Sequence, residues 1–208
     1  MLHDLNSLID TPVAASDGAT GPVRDFLFDD RSWEVRHLVV EVGNWLQRRD
    51  VILPFTALAP PDWARGVCHV RLTKEQIRNS PDTDTEQPVS RQQELAMRTY
   101  FGSLSCWMDS GMGMSFVPVG VRYPVKAAWD PHLRSARHIL GYTVWAIDGD
   151  LGRLEGLVLD EARWHLSYLD VKAGAWQRER RILVPTGWVE SISWPGFRIY
   201  LNHRQVSV

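Results

Sequence analysis

Apolar and polar positions alternate in short runs along most of this chain, and Gly, Asp, Ser and Pro punctuate the runs. A period of two with turn residues at short intervals predicts strands. In the first third, residues 12–15 read as a strand and Ser16 to Gly21 as a turn, where Asp17 and Gly18 tolerate positive φ. Residues 23–28 form a second strand, Asp29 to Ser32 a turn, and residues 33–42 (WEVRHLVVEV) a third strand. Residues 43–50 read as a polar loop, 51–55 as a fourth strand and 67–72 as a fifth. Near the C-terminus the pattern recurs, with strands expected at 143–146, 153–159, 164–171, 181–184 and 198–201. About five strands in so short a span suit a small closed or nearly closed barrel, because closure removes exposed edges.

The recurrence is an internal repeat. Residues 8–54 align with 139–185 without a gap at a constant offset of 131, with 13 identities over 47 positions. The matches include Asp17/Asp148, Gly18/Gly149, Gly21/Gly152, Asp29/Asp160, Trp33/Trp164, Gly43/Gly174 and Trp45/Trp176. Trp63/Trp194 keeps the offset, after which Leu72/Leu201 and Gln76/Gln205 align at 129, predicting a second copy two residues shorter. Internal duplication is the reading. The expected organisation is a first module at 1–80, a helix and linker at 81–132, and a second module at 133–208. The expected fold class is all-β with short helices, as two tandem small barrels.

Helical signals are few. Thr73 and Gln76 have capping-box spacing, as do Ser90 and Gln93 ahead of a helix expected at about 91–100, with Gly102 as its stop. Residues 80–88 (SPDTDTEQP) read as extended. Residues 102–131 read as a linker whose Trp107, Met112, Met114 and Phe116 suit packing on the modules better than free solvation.

Composition adds little direction. The 208 residues are 44% hydrophobic and 23% charged, with a formal charge of -2, so no long-range field draws the chain to nucleic acid or anionic lipid. Ten tryptophans are many, but large aromatics fill barrels as readily as they anchor interfaces. Cys68 and Cys106 form no CxxC, and two thiols build no disulfide framework, so a reducing cytoplasm is the expected location. The opening MLHDLNSLID lacks a signal-peptide pattern, and no apolar run is long enough to span a bilayer.

No residue pattern points to catalysis, metal or cofactor. The seven histidines form no HxH or HExxH, and Asp82 and Asp84 lack the glycine of a calcium loop. Gly111-Met112-Gly113 fails the dinucleotide fingerprint, and GSLSC is not a nucleophile elbow. Cys68 shares a strand face with Val70 and Leu72 and belongs in the core. Residues repeated in both copies serve the shared fold: Asp17, Gly18, Gly21, Asp29 and Gly43 as turn chemistry, Trp33 and Trp164 as barrel packing at the start of matching strands. One feature points outward. The segments after the third strand of each copy combine tryptophan with arginine: Trp45, Arg48 and Arg49, then Trp176, Arg178, Arg180 and Arg181. Trp and Arg are enriched at interface hot spots, which makes these seven residues the candidate contact surface.

The run DG…G.V.DFLFDD..W.VR.LVVE.G.WL at 17–46 resembles the PRC-barrel, named for the cytoplasmic domain of the photosynthetic reaction centre H subunit and found also in a bacterial ribosome maturation factor. The segment 72–93 (LTKEQIRNSPDTDTEQPVSRQQ), and LRSAR at 133–137 leading into GYTVWAIDGDLG, resemble two-barrel bacterial members. The resemblance implies a small β-barrel used as an adaptor and transfers no catalytic residues. A non-enzymatic scaffold that binds protein partners and forms a homodimer is the expected function, and an RNA- or ribosome-associated factor is the alternative.

Overall fold

The computed structural model describes residues 1–44, 47–59, 66–80, 132–174 and 180–205. The helix expected at 91–100, the extended stretch beyond Ser80 and the linker at 102–131 lie outside them.

The described residues are mostly strand. In the first part come β1 (Leu2–Asp4), β2 (Pro12–Ala15), β3 (Gly18–Asp29), β4 (Val35–Asn44), β5 (Gln47–Pro54), β6 (Cys68–His69) and helix α1 (Lys74–Arg78). In the second come β7 (Leu133–Ser135), helix α2 (Ala136–Ile139), β8 (Thr143–Ala146), β9 (Gly149–Asp160), β10 (His165–Ala173), β11 (Arg180–Pro185), β12 (Val189–Ser193) and β13 (Arg198–Leu201). They form two barrel-like sheets, ordered β5-β4-β3-β2-β6 and β11-β10-β9-β8-β13-β12. In each, the last long-range pairing is parallel, β2 with β6 and β8 with β13. The expected strands at 12–15, 143–146 and 198–201 are present with those bounds; β3 and β9 run longer than expected, and β4 and β5 extend into the segment read as a polar loop, to Asn44 and from Gln47.

The offset of 131 governs the backbone throughout, which corrects the expected shift to 129. Ser16 N donates to Leu72 O at 2.9 Å, and Ile147 N to His203 O at 3.0 Å. Arg71 N bonds Ala57 O as Asn202 N bonds Trp188 O. Lys74 N donates to Asp17 Oδ1 and Gln205 N to Asp148 Oδ1, so Leu72 corresponds to His203 and Lys74 to Gln205. The turn aspartates thus tie each β2–β3 or β8–β9 hairpin to the chain that follows the last strand. Positive φ follows the same offset at Asp10/Gly141, Gly18/Gly149, Trp33/Trp164, Gly43/Gly174 and Gly66/Phe197; among the described residues Gly152 alone has no positive-φ counterpart. At Gly21 and Gly152 close approach decides the residue. A Cβ would lie 1.8 Å from the Glu41 carbonyl oxygen and 2.1 Å from that of Lys172.

The two halves are interlocked. β1 leaves its own half and pairs antiparallel with β9, with Leu2↔Asp160, His3↔Leu159 and Asp4↔Val158. β7 does the reverse on β3, with Leu133↔Asp29, Arg134↔Phe28 and Ser135↔Leu27. Every residue of one exchange sits 131 positions from its counterpart in the other. Between them Val35 N donates to Trp164 O and Leu166 N to Trp33 O, both at 2.8 Å, around a bridge of Glu34 with His165. Trp33 and Trp164 therefore do not begin strands as expected. They hold left-handed backbone at the seam, where Trp33 is buried and stacks on Phe28 at 5.2 Å. A bulky residue in that region costs about 1–2 kcal/mol, offset here by the cross-seam hydrogen bonds. One core runs through both halves, from Val13, Phe26, Phe28 and Leu53 to Val144, Leu157, Leu169 and Ile199.

Two outcomes test this arrangement. Gly21→Ala should lower stability by more than about 2 kcal/mol in urea titration, because backbone must move to admit the Cβ. Residues 1–80 expressed alone should either dimerise, with β1 of each copy on β3 of the other, or melt below the intact chain. A monomeric fragment as stable as the whole protein, measured by light scattering and thermal melts, would contradict the interlock.

Candidate interaction surfaces

The predicted contact residues lie on two β-ribbons. β4 and β5 stay paired from His37↔Pro54 to Asn44↔Gln47, so Arg48 and Arg49 belong to a strand and face Gly43 and Val42. β10 and β11 stay paired to Ala173↔Arg180. Gly43 and Gly174 carry φ of 112° and 101° at the matching place before each ribbon ends. Trp45, Trp176 and Arg178 lie outside the described residues, so the structure brings Arg48 together with Arg49, and Arg180 with Arg181.

The arginines differ in their bonding. Arg48 is exposed, with Nε 3.7 Å from Glu41 Oε1. Glu41 is held more closely by Arg24, through Nε at 3.0 Å and Nη2 at 2.5 Å, and Arg24 reaches Asp10 with Nη1 at 2.5 Å. Arg181 donates through Nε to Asp170 Oδ1 at 3.1 Å and pairs through Nη2 with Oδ2. The hydrogen bond to Asp170 raises the guanidinium further above its ordinary range. Arg180 is exposed opposite Ala173. Exposed pairs of this kind add little to stability, so they leave the arginines available for exchange to another carboxylate. The Arg24–Glu41 position recurs in the second half as Glu155–Lys172, at 3.7 Å with the signs reversed.

The seam holds the polar groups that sequence reasoning missed. Asp25, buried on β3, accepts hydrogen bonds from Ser135 Oγ at 2.5 Å, Arg137 N at 3.1 Å and Phe26 N at 2.7 Å. Ser135 also caps α2 through His138 N at 3.0 Å. Nearby Asp30 accepts from Arg134 Nε at 2.7 Å and contacts His132 Nδ1 at 2.8 Å. The matching seam has His3 on Glu161 at 2.7 Å, but Gly156 where Asp25 stands and Asp4 where Ser135 stands. Each seam thus has one carboxylate at this place, on opposite members of the pair. The signal in the sequence was an aspartate set against Gly156 beside a run that is apolar in both halves, Phe26/Leu157 to Phe28/Leu159.

Burial raises the Asp25 carboxyl above its ordinary value, against the hydrogen bonds that favour the anion. Burial likewise pushes the Cys68 thiol up to about 12, which leaves it an inert core group, as its place on the strand face predicts. Cys106 lies outside the described residues. Among the described residues no three His, Cys, Asp or Glu side chains converge to hold a metal ion. No described helix is long and apolar enough to cross a membrane.

Residues 2–76 match the PRC-barrel domain family. The matched span runs from β1 to the middle of α1, and so includes the strand that pairs with the other half. No curated protein matches the chain.

The Asp25 seam has a defined pH signature. Its folded pKa lies above the unfolded value, so the folded state holds the proton more tightly and loses stability as pH rises from the unfolded to the folded pKa. Asp25→Asn removes that loss while its hydrogen-bond changes are nearly constant with pH. The stability of Asp25→Asn relative to wild type should therefore be more favourable at neutral pH than at a pH below the unfolded carboxyl pKa. Urea midpoints at the two conditions check the sign.

Proposed function

We propose that this chain, which carries a PRC-barrel domain, is a non-enzymatic adaptor built by internal duplication of a PRC-type module. It binds protein partners through the two ribbon ends and self-associates as a homodimer. The PRC-barrel family is not generally catalytic, which favours a binding role. The observation that carries the reading is the placement of exposed arginine at equivalent ends of two ribbons, Arg48 in β5 and Arg180 in β11. β5 and β11 are the outermost strands of their sheets, so both ends lie where a partner has access. The interlocked seam supports the reading from the other side: it holds both ends on one body, which reduces the ordering cost of a two-point contact.

The test is a pull-down from native lysate with full-length wild type and the double variant Arg48→Ala/Arg180→Ala. Melts of the two should coincide, since surface changes usually stay within about 0.5 kcal/mol. Partner recovery should fall several-fold, the effect of losing an arginine hot spot worth more than about 1 kcal/mol. Unchanged recovery of every partner would return the ribbons to a purely structural role. Light scattering should give twice the 23.8 kDa chain mass; the single mass alone would overturn the dimer.

A further inference from the structure

The corrected offset exposes a difference between the halves. Where the first half has Ala14, Gly66, Val67 and His69, the second has Trp145, Phe197, Arg198 and Tyr200. Strand register places three of these on one face. Thr143 pairs with Arg153 on β9 and Arg198 on β13, and Arg198 pairs with Ser193 on β12. Two residues along, Trp145 pairs with Tyr200, and Tyr200 with Ser191. Paired residues share a face of the sheet. The intervening Val144, Ile199 and Leu201 are buried, so the Trp145, Tyr200 and Arg198 row faces outward.

We propose that this outer face of β8, β13 and β12 binds single-stranded nucleic acid. Two aromatic rings side by side on a sheet form a stacking platform that accepts any base. The Arg198 guanidinium already lies over the Trp145 ring, 5.2 Å from its centroid, marking that ring as a surface for flat cationic or π partners. Arg153 and Arg198 are exposed and have no carboxylate partner among the described residues, so both charges are available to phosphate. The Asp150 carboxylate, opposite Trp145, is engaged by the Gly152 N–H at 2.8 Å. A groove of about 660 Å³ continues the face past Thr143 and Arg153 to Lys172 and Gly174; Asp150 and Glu155 line it as well, Glu155 paired with Lys172 at 3.7 Å.

Phe197 lies just before β13. It is 59% exposed and takes left-handed backbone, φ 49°, where the first half has Gly66 at φ 60°. Its ring meets Tyr142 edge-on at 5.4 Å, and the rest of the side chain extends the apolar surface beside the face. The two arginines without a carboxylate partner beside the rings favour nucleic acid over a protein partner, whose aromatic anchors are normally ringed by water-excluding contacts. The proposal does not rest on the ribbon ends.

The test is fluorescence anisotropy of a labelled oligouridylate of about twelve nucleotides, within the span a small barrel covers, titrated with the full-length chain at several salt concentrations. Wild type should bind, with log affinity falling against log salt at a slope of about −1.4 for two phosphate contacts; Arg198→Ala should reduce that slope to about −0.7. Tyr200→Ala should weaken binding by about fivefold or more through lost stacking. Arg153→Ala, at an exposed position, repeats the slope test if Tyr200→Ala fails to fold. Arg48→Ala/Arg180→Ala should bind the oligonucleotide as wild type does, which separates this surface from the adaptor reading. Absence of binding at low salt, or binding that the folded Arg198 and Tyr200 variants leave unchanged, would overturn the proposal. So would loss of a defined protein partner with Tyr200→Ala in the absence of oligouridylate binding, which would assign the face to protein.

Discussion

The structure depends on a reciprocal exchange of backbone across one seam. β1 completes the second sheet, β7 completes the first, and the Val35–Trp164 and Leu166–Trp33 hydrogen bonds close the space between. A three-residue strand adds only a few hydrogen bonds, each worth about 1 kcal/mol net. Their effect is larger than that sum because they join two small apolar interiors into one. A module of this size buries too little surface to be robust by itself. Sharing Phe26, Phe28, Leu157 and Leu159 in a common core relieves that limit.

The seam is pseudo-symmetric in backbone and asymmetric in chemistry. Backbone geometry keeps one offset from Leu2/Leu133 to Lys74/Gln205, while side chains at matched positions diverge. Asp25 faces Ser135 on one side, and Gly156 faces Asp4 on the other. Arg24–Glu41 becomes Glu155–Lys172. The charge pair survives with its signs exchanged, whereas at the seam the carboxylate moves to the other strand and accepts from Asn6 N instead. A fold that constrains a charge pair by position rather than by identity leaves its surface free to specialise.

Specialisation is concentrated in the second half. Tyr142 is buried among Trp194 and Phe197, Trp194 stacks on His138 at 4.2 Å, and Arg134 lies over Trp194 at 4.9 Å. Trp188 stacks on His203 at 4.1 Å, where the first half has Ala57 and Leu72. Tyr142, Trp145, Trp188 and Phe197 thus stand where the first half has Thr11, Ala14, Ala57 and Gly66, while Trp194 is matched by Trp63, and cations accompany the rings. The ribbon ends, by contrast, keep arginine in both halves. The chain therefore has one repeated surface and one that is found in a single half.

Much of the fold was legible in the sequence because its signals are local. Asp17-Gly18 and Asp148-Gly149 announce their turns, Thr73 and Gln76 form the capping box of α1, and alternation marks β2, β8 and β13 to the residue. The repeat was legible for the same reason: Gly21 and Gly152 are required wherever a carbonyl oxygen leaves no room for a Cβ. Other features were hidden. β1 and β7 are three residues long and carry too little pattern to be seen, and which sheet each joins depends on where the other half lies. The shift to 129 followed two identities, Leu72/Leu201 and Gln76/Gln205, whereas backbone hydrogen bonds hold 131. That shift set Tyr200 against Arg71 and Arg198 against His69, and so concealed the aromatic face. The sequence by itself determined the strands, the turns and the repeat, because each follows from neighbours along the chain. Only the tertiary structure decided the interlock, the burial of Asp25 and the grouping of Trp145, Tyr200 and Arg198, because each depends on residues brought together across strands.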